Sequence, residues 1–261
     1  MTLDKMPANI KEQYETDGYI KCIDALSTLE SQRVRENFDS LEEKSGRKAS
    51  QYSFHNIHLQ YPWVYQTATH ENILNPVKEI LGQNIILLDS RFICKYPVSE
   101  MQDEDSGKAY VAWHQDMRYW GIEGTVVTAW LAVDDADVEN GCMQVLPGTH
   151  TLGMLEHETA SVSGNLLSAN QSIPLKLIDE SQSIPCPVKA GQMSLHDGLL
   201  VHGSQPNTSP RRRCGFVIRF VSTSAKPIED PDRPRSFPCT VVVAGVDTYQ
   251  HFKDNRPDWV S

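Results

Sequence analysis

A membrane-spanning helix needs about 20 consecutive apolar residues, and no run of that length occurs in this chain. The N-terminus, Met1-Thr2-Leu3-Asp4-Lys5, leads into polar sequence rather than the apolar stretch of a secretion leader. A basic excess is also missing. Lys and Arg number 24 against 34 Asp and Glu, a net charge of −10, and the pI is near 5.3. Phosphate binding needs a basic face, and the run Arg211-Arg212-Arg213 is too short to make one. The six cysteines, at 22, 94, 142, 186, 214 and 239, include no Cys-x-x-Cys. Without a leader they read as reduced, mostly buried small hydrophobes, not as a disulfide framework. The expectation is a soluble cytoplasmic protein with neither a membrane nor a nucleic acid as partner.

What the chain does carry is a His-x-Asp pair, His114 and Asp116 in Trp113-His114-Gln115-Asp116, and a distant His202 in Val201-His202-Gly203-Ser204. Two imidazoles and one carboxylate on one face of an ion, with the opposite face open, form the ligand set of non-heme Fe(II) oxygenases. In an extended strand, side chains at i and i+2 point the same way. The spacing thus lets His114 and Asp116 grip one ion while Gln115 faces away. Position 202 must then come from a strand folding back over the first, as an antiparallel barrel or jelly roll provides. Zinc hydrolases also use two histidines and a carboxylate, so the triad alone leaves the metal open. A jelly-roll binding module would keep the same pattern.

Arg213 follows His202 by eleven positions. A guanidinium there, on the next strand, can form a bidentate salt bridge with the far carboxylate of a keto-diacid. Ser204 can add a hydroxyl to the same carboxylate. A zinc hydrolase would leave both residues without a task. His196, in Leu195-His196-Asp197-Gly198, competes for the third ligand position, but Ser204 and the spacing to Arg213 favour His202. Arg118, Tyr119 and Trp120, just past the His-x-Asp pair, are the candidate substrate residues. His55 and His58 read equally as pocket residues or as surface and core histidines.

At these residues the chain resembles the phytanoyl-CoA dioxygenase family of Fe(II)/2-oxoglutarate oxygenases. The matching pieces are Trp113-His114-Gln115-Asp116, Val127-Thr128-Ala129-Trp130-Leu131-Ala132, Glu139-Asn140-Gly141-Cys142, Pro147-Gly148-Thr149-His150, and His202-Gly203-Ser204 with Asn207 and Arg213, in the family's order over roughly residues 8 to 222. The resemblance implies a double-stranded β-helix (jelly roll, cupin-like) and Fe(II) on His114, Asp116 and His202. It also implies O2 as a cosubstrate, with 2-oxoglutarate held by Arg213 and Ser204 and Trp130 nearby. The implied activity is hydroxylation of a C–H bond of a small organic substrate, with release of succinate and CO2. Related halogenases replace the carboxylate with Ala or Gly, so Asp116 favours hydroxylation; desaturation or cyclisation would depend on substrate pose. The family's substrates are too diverse to select one. The absence of an extended basic surface for a CoA nucleotide points to a small polar or zwitterionic molecule, and the oligomeric state stays open.

The chain reads as one mainly β domain, 1–261, with a helical front (about 8–82), a jelly-roll core (about 84–222) and a C-terminal extension (about 223–261). Helices are predicted at 8–16, at 28–45 behind a Ser27-x-x-Glu30 capping box, and at 73–81, all packing outside the barrel. Strands are predicted at 19–23, 85–88, 91–96, 110–113, 125–133, 213–221 and 240–244, with Asn140-Gly141 as a tight hairpin turn. Asp134 to Glu139 is a solvated acidic loop without EF-hand spacing. Residues 147–185 form a long connection suited to a lid. Pro227, Pro231, Pro234 and Pro238 punctuate a loop, and the tail from Asp247 carries no legible chemistry.

Overall fold

The computed structural model describes residues 9–97, 108–230 and 235–260. The readings on Met1 to Lys5 and on Pro231 and Pro234 lie outside those residues. Among the described residues, no helix is long and apolar enough to cross a membrane.

The front half is helical as expected. Helix α1 (Ile10–Asp17) stops at Gly18, whose positive φ lets its amide reach back to the Tyr14 carbonyl. Strand β1 (Tyr19–Asp24) follows. Helix α2 (Thr28–Ser45) starts at the full capping box, with Ser27 and Glu30 each bonding the other's backbone amide. Helix α5 (Glu71–Leu81) is preceded by two short helices, α3 (Arg47–Tyr52) and α4 (Pro62–Ala68). These two were not foreseen, although Pro62 at the first position of α4 is a start signal.

The body is built of antiparallel strands: β2 (Ile85–Lys95), β3 (Val111–His114), β4 (Ile122–Glu123), β5 (Val126–Ala132), β6 (Met143–Val145), β7 (Glu158–Thr159), β8 (Gln171–Ser172), β9 (Ile184–Cys186), β10 (Gln192–Asp197), β11 (His202–Ser204), β12 (Arg213–Ser222), β13 (Lys226–Pro227) and β14 (Val241–Ala244). The larger sheet runs β1-β10-β5-β12-β2-β14 and the smaller β3-β11-β6-β9; β4 with β13 and β7 with β8 form two-stranded pieces. This is the expected double-stranded β-helix with flanking helices.

Alternation sorts the larger sheet's two faces. Phe92, Cys94, Val127, Ala129, Leu131, Leu195, Cys214, Phe216, Ile218 and Phe220 join Phe38, Leu41, Ile73 and Val77 of the helices in one core. Phe92 is its hinge, stacked on Phe216 with ring centroids 4.4 Å apart and touching Phe38 and Trp63. The opposite face, turned into the barrel, carries Arg91, Thr128, Trp130, His196, Arg213 and Arg219.

Two expectations are corrected and a third is narrowed. The runs 85–88 and 91–96 are one continuous strand, because Asp89 and Ser90 are buried and bonded rather than marking a turn. Asn140-Gly141 does not close a hairpin, since β5 and β6 belong to different sheets and cannot pair. It forms a corner, with Asn140 bonded to the Asp137 amide and the Asp135 carbonyl, that carries the chain from one sheet to the other. The acidic loop is solvated except at its start: Asp134 is buried against Arg212 at 2.8 Å, while Asp135 with Lys189 at 3.1 Å and Asp137 with Arg211 at 2.7 Å pair at the surface.

Because Phe92 joins helices to sheet, Phe92→Ala should lower unfolding free energy by about 3–5 kcal/mol, read by urea denaturation. A loss under about 1 kcal/mol, as at a site free to collapse, would show that the front is not anchored there.

Candidate active site

His114 ends β3 and His202 begins β11, and the two residues are directly opposed in the antiparallel pair. Their ring centroids lie 4.1 Å apart. Each Nδ1 is 2.9 Å from a backbone carbonyl, Ala112 O for His114 and Leu200 O for His202. A carbonyl only accepts, so each Nδ1 carries the proton and each Nε2 presents a bare lone pair, the tautomer a metal requires. One ligand atom from each of His114, Asp116 and His202 fits within 4.8 Å, and all three residues are buried. Burial and the neighbouring rings of His114 and His196 hold the His202 imidazole well below its ordinary pKa, so it is neutral and ready to ligate.

Asp116 reaches this point by a route other than strand alternation. β3 ends at His114, and Asp116 has helical dihedrals at the start of a single turn, Met117–Trp120. The Met117 amide donates to Gly198 O at 2.8 Å, pinning the turn. Gln115 faces away, as expected, and is tied to Gly153 O, Leu199 O and the Leu155 amide.

Beneath Asp116 lies one cross-strand row of the larger sheet: Tyr19, His196, Thr128, Arg219 and Asp89, each opposite the next. Thr128 Oγ1 donates to Asp116 Oδ2 at 2.8 Å. Arg219 adds a bidentate pair, Nε to Oδ2 at 3.0 Å and Nη2 to Oδ1 at 2.9 Å. Its Nη1 reaches Asp89 at 3.0 Å. Burial alone would raise the Asp116 carboxyl pKa, but Arg219 and the imidazoles hold it well below the usual range. His196 is in the same row, with Nε2 3.6 Å from Asp116 Oδ2, yet neither of its ring nitrogens has a hydrogen-bond partner. It lacks the carbonyl clamp that orients the other two rings.

At the other end, Arg213 and Lys95 face each other across β12 and β2. Arg213 donates twice to Gly141 O, at 2.8 and 3.1 Å, and lies over the Trp130 ring. Lys95 Nζ donates to Ser204 Oγ at 2.6 Å and to Gln205 O. Ser204 also accepts from Arg213 at 3.3 Å, which leaves its own proton free to donate. Burial, with Arg213 alongside, holds the Lys95 ammonium well below its ordinary pKa, and burial brings Arg213 down to about 10. Neither cation has a carboxylate partner among the described residues.

One cavity, with an empty volume of about 870 Å³ including its open mouth, contains both ends. His114, Asp116, His202, Ser204, Arg213, Trp130, Tyr119 and Trp120 all line it; Arg118, on the same turn as the last two, does not. The long connection contributes Leu166, Leu167 and Ser168. His58 is a core histidine held by Ser90 Oγ and Cys239 O. Lys95, Arg219, Asp89 and Thr128 were missed from sequence. A charge inside an otherwise apolar strand, as in Phe92-Ile93-Cys94-Lys95 or Val217-Ile218-Arg219-Phe220, was the available signal.

Two antiparallel sheets closing around two imidazoles and a carboxylate make a jelly roll with a candidate metal centre between them. The family model "Phytanoyl-CoA dioxygenase (PhyH)" matches residues 14–215, and the chain belongs to the phytanoyl-CoA dioxygenase family of Fe(II)/2-oxoglutarate-dependent oxygenases. It is 28% identical over 229 residues to phytanoyl-CoA dioxygenase domain-containing protein 1 of Bos taurus, covering 85% of this chain and 74% of that one. It is 25% identical over 232 residues to a probable alpha-ketoglutarate-dependent hypophosphite dioxygenase of Stutzerimonas stutzeri, covering 87% and 78%. The solved non-heme monooxygenase ThoJ shares the fold, with a TM-score of 0.76 at 24% identity over 95% of this chain and 88% of that one.

Arg219→Met would leave Asp89 and Asp116 buried without their shared partner. Such a loss costs about 3–5 kcal/mol, measurable by urea denaturation of the metal-free protein. Unchanged stability would contradict the ion-pair cluster.

Proposed function

We propose that this chain hydroxylates an unactivated C–H bond of a small organic substrate, with Fe(II) held by His114, Asp116 and His202 and 2-oxoglutarate leaving as succinate and CO2. The observation that carries the reading is the pair of oriented Nε2 lone pairs facing one carboxylate, with Arg213 lining the far end of the same cavity and Lys95 behind Ser204, both without a carboxylate partner among the described residues. Bound there, iron supplies the activation of O2 that a protein side chain cannot. The protein's part is placement. Thr128 and Arg219 fix both oxygens of Asp116, and Arg213, Ser204 and Lys95 receive the distal carboxylate of 2-oxoglutarate. Trp130, which lines the cavity with Arg213 stacked over its ring, would give that carboxylate an apolar side wall.

A zinc hydrolase would leave Arg213 and Lys95 buried without a counter-charge, which is costly. A halogenase needs the carboxylate position vacant for halide, and Asp116 fills it. The front, the core and the C-terminal extension are read as one domain, because β1 and β14 are the two edges of the same sheet.

His114→Ala and His202→Ala should each lose Fe(II) binding and succinate release, while His196→Ala keeps both; the reverse pattern would reassign the ligands. With substrate and labelled O2, the product should gain one oxygen atom from the gas even in abundant chloride, and a chlorinated product would overturn hydroxylation.

Arg213→Leu should raise the Michaelis constant for 2-oxoglutarate by about a hundredfold or more, in line with about 3–5 kcal/mol for breaking a buried charge pair. Ser204→Ala should act in the same direction by about 1–3 kcal/mol at most. The Michaelis constant for the prime substrate should move far less.

Lys95 adds a pH signature. Its pKa is depressed in the empty pocket and restored by an arriving carboxylate, so 2-oxoglutarate binding should take up a proton, and affinity should fall as pH rises between the two values. Calorimetry in buffers of different ionisation enthalpy counts that proton. No uptake from neutral to alkaline pH would show that Lys95 does not change its charge state when 2-oxoglutarate binds.

A further inference from the structure

We propose that the prime substrate is an anion, carrying a carboxylate or phosphorus oxyanion head that binds against Arg91, Tyr52, Tyr119 and Trp120. This rests on the oxygenase reading and goes beyond it by fixing the substrate's charge.

The first support is the balance of charge. Arg91, Arg213 and Arg219 line the cavity and Lys95 lies behind Ser204, while Asp116 lines it and Asp89 backs it. Fe(II) and the 2-oxoglutarate dianion cancel each other. The remaining side chains leave one positive charge in excess with Lys95 neutral and two with it protonated. A substrate cation would add to that excess in a poorly solvated cavity, whereas an anion removes it.

The second support is where the hydrogen-bond capacity is left over. Both carboxylates are already closed by guanidinium groups, Asp116 by Arg219 and Asp89 by Arg219 and Arg91. An ammonium head therefore finds no free carboxylate among the described lining residues. Donors, by contrast, are in surplus. Tyr119 Oη and Trp120 Nε1 are shielded from solvent and have no partner. Tyr52 Oη accepts from Arg91 Nη1 at 2.6 Å, so its own proton is free. Arg91 spends three of its five N–H groups, one on Tyr52 and two, at 3.4 Å, on Asp89, which leaves two to donate. An indole N–H can only donate, so the group facing Trp120 must accept. Donors gathered beside a spare guanidinium fit an oxyanion. Leu166 and Leu167 of the long connection offer an apolar wall to the rest of the molecule. The polar molecule expected from sequence is thereby narrowed to one that brings its negative end to this wall.

The test uses the full chain loaded with Mn(II) and 2-oxoglutarate without O2, so that binding is read without turnover. Four probes share a 3-methylbutyl body and differ only in the head: 4-methylpentanoate, 3-methylbutylphosphonate, 3-methylbutan-1-ol and 3-methylbutylammonium. Calorimetry should show saturable binding of at least one anion, about tenfold or more tighter than the alcohol, as a charged hydrogen bond provides, and none of the ammonium. The tighter anion identifies the head as carboxylate or phosphonate. Tyr119→Phe and Trp120→Phe, which keep their rings, should each weaken the anion by about threefold to tenfold. Arg91→Met should weaken it by about tenfold to a hundredfold, with Arg91→Lys recovering part of the loss. Binding of the alcohol should change less than that of the anion, and binding of 2-oxoglutarate should not change. The two ring variants carry the test should Arg91→Met fail to fold. The proposal is overturned if the ammonium binds as well as the anions, if neither anion saturates, if anion and 2-oxoglutarate displace one another, or if the ring variants leave anion affinity unchanged. Metal and 2-oxoglutarate binding are measured first in the same sample. Their absence would sink the oxygenase reading, while their presence without anion binding would sink only this inference.

Discussion

The contact on which the rest of the site depends is the bidentate pair between Arg219 and Asp116. A carboxylate buried this deeply would otherwise take up a proton and cease to be a useful ligand. Arg219 keeps it ionised, and Asp89 on the neighbouring strand keeps Arg219 in place. Because Arg219, Thr128 and His196 stand in one row of the larger sheet, the support for Asp116 is as rigid as the sheet itself. The smaller sheet, through the opposed His114 and His202, supplies the other two groups. The site thus exists only where the two sheets meet.

Strand β12 ties this centre to the cosubstrate end. It begins at Arg213 and carries Arg219 on the same inward face, so one strand fixes both cationic anchors relative to each other. Its outward residues Cys214, Phe216, Ile218 and Phe220 are locked into the helical core. Packing outside the barrel therefore determines spacing inside it, which is how helices with no chemistry of their own contribute to function. Gly215 is part of the same design, since any Cβ there would collide with the Trp130 ring.

Much of this was legible in the sequence because the relevant signals are local or short-range. The capping box at Ser27 and Glu30, the glycine after Asp17, the β-rich runs of β5 and β12 and the His-x-Asp spacing each report on a few neighbouring residues. What was not legible depends on partners that only the fold brings together. Asp89 and Ser90 looked like a break in a strand, since their partners Arg219 and His58 are far away in sequence. Asn140-Gly141 has the composition of a hairpin turn, but the turn residues do not say which sheet the next strand will join. Lys95 looked like an ordinary strand lysine until Ser204 and Arg213 were placed beside it. Asp116 does come together with His114 and His202, but the helical turn after His114 brings it there in place of the strand geometry that the spacing suggested.

The opposition of His114 and His202 also bears on how the chain becomes and stays folded. The two imidazoles sit on segments that meet late in any folding order that favours short loops, and a bound ion would be a clasp across them. Such an ion stabilises only the state in which both strands are paired, by about 2.7 kcal/mol when free metal exceeds its dissociation constant a hundredfold. An ion held there would thus shift the equilibrium toward the closed barrel, and its loss would leave the seam between the two sheets held by strand pairing alone.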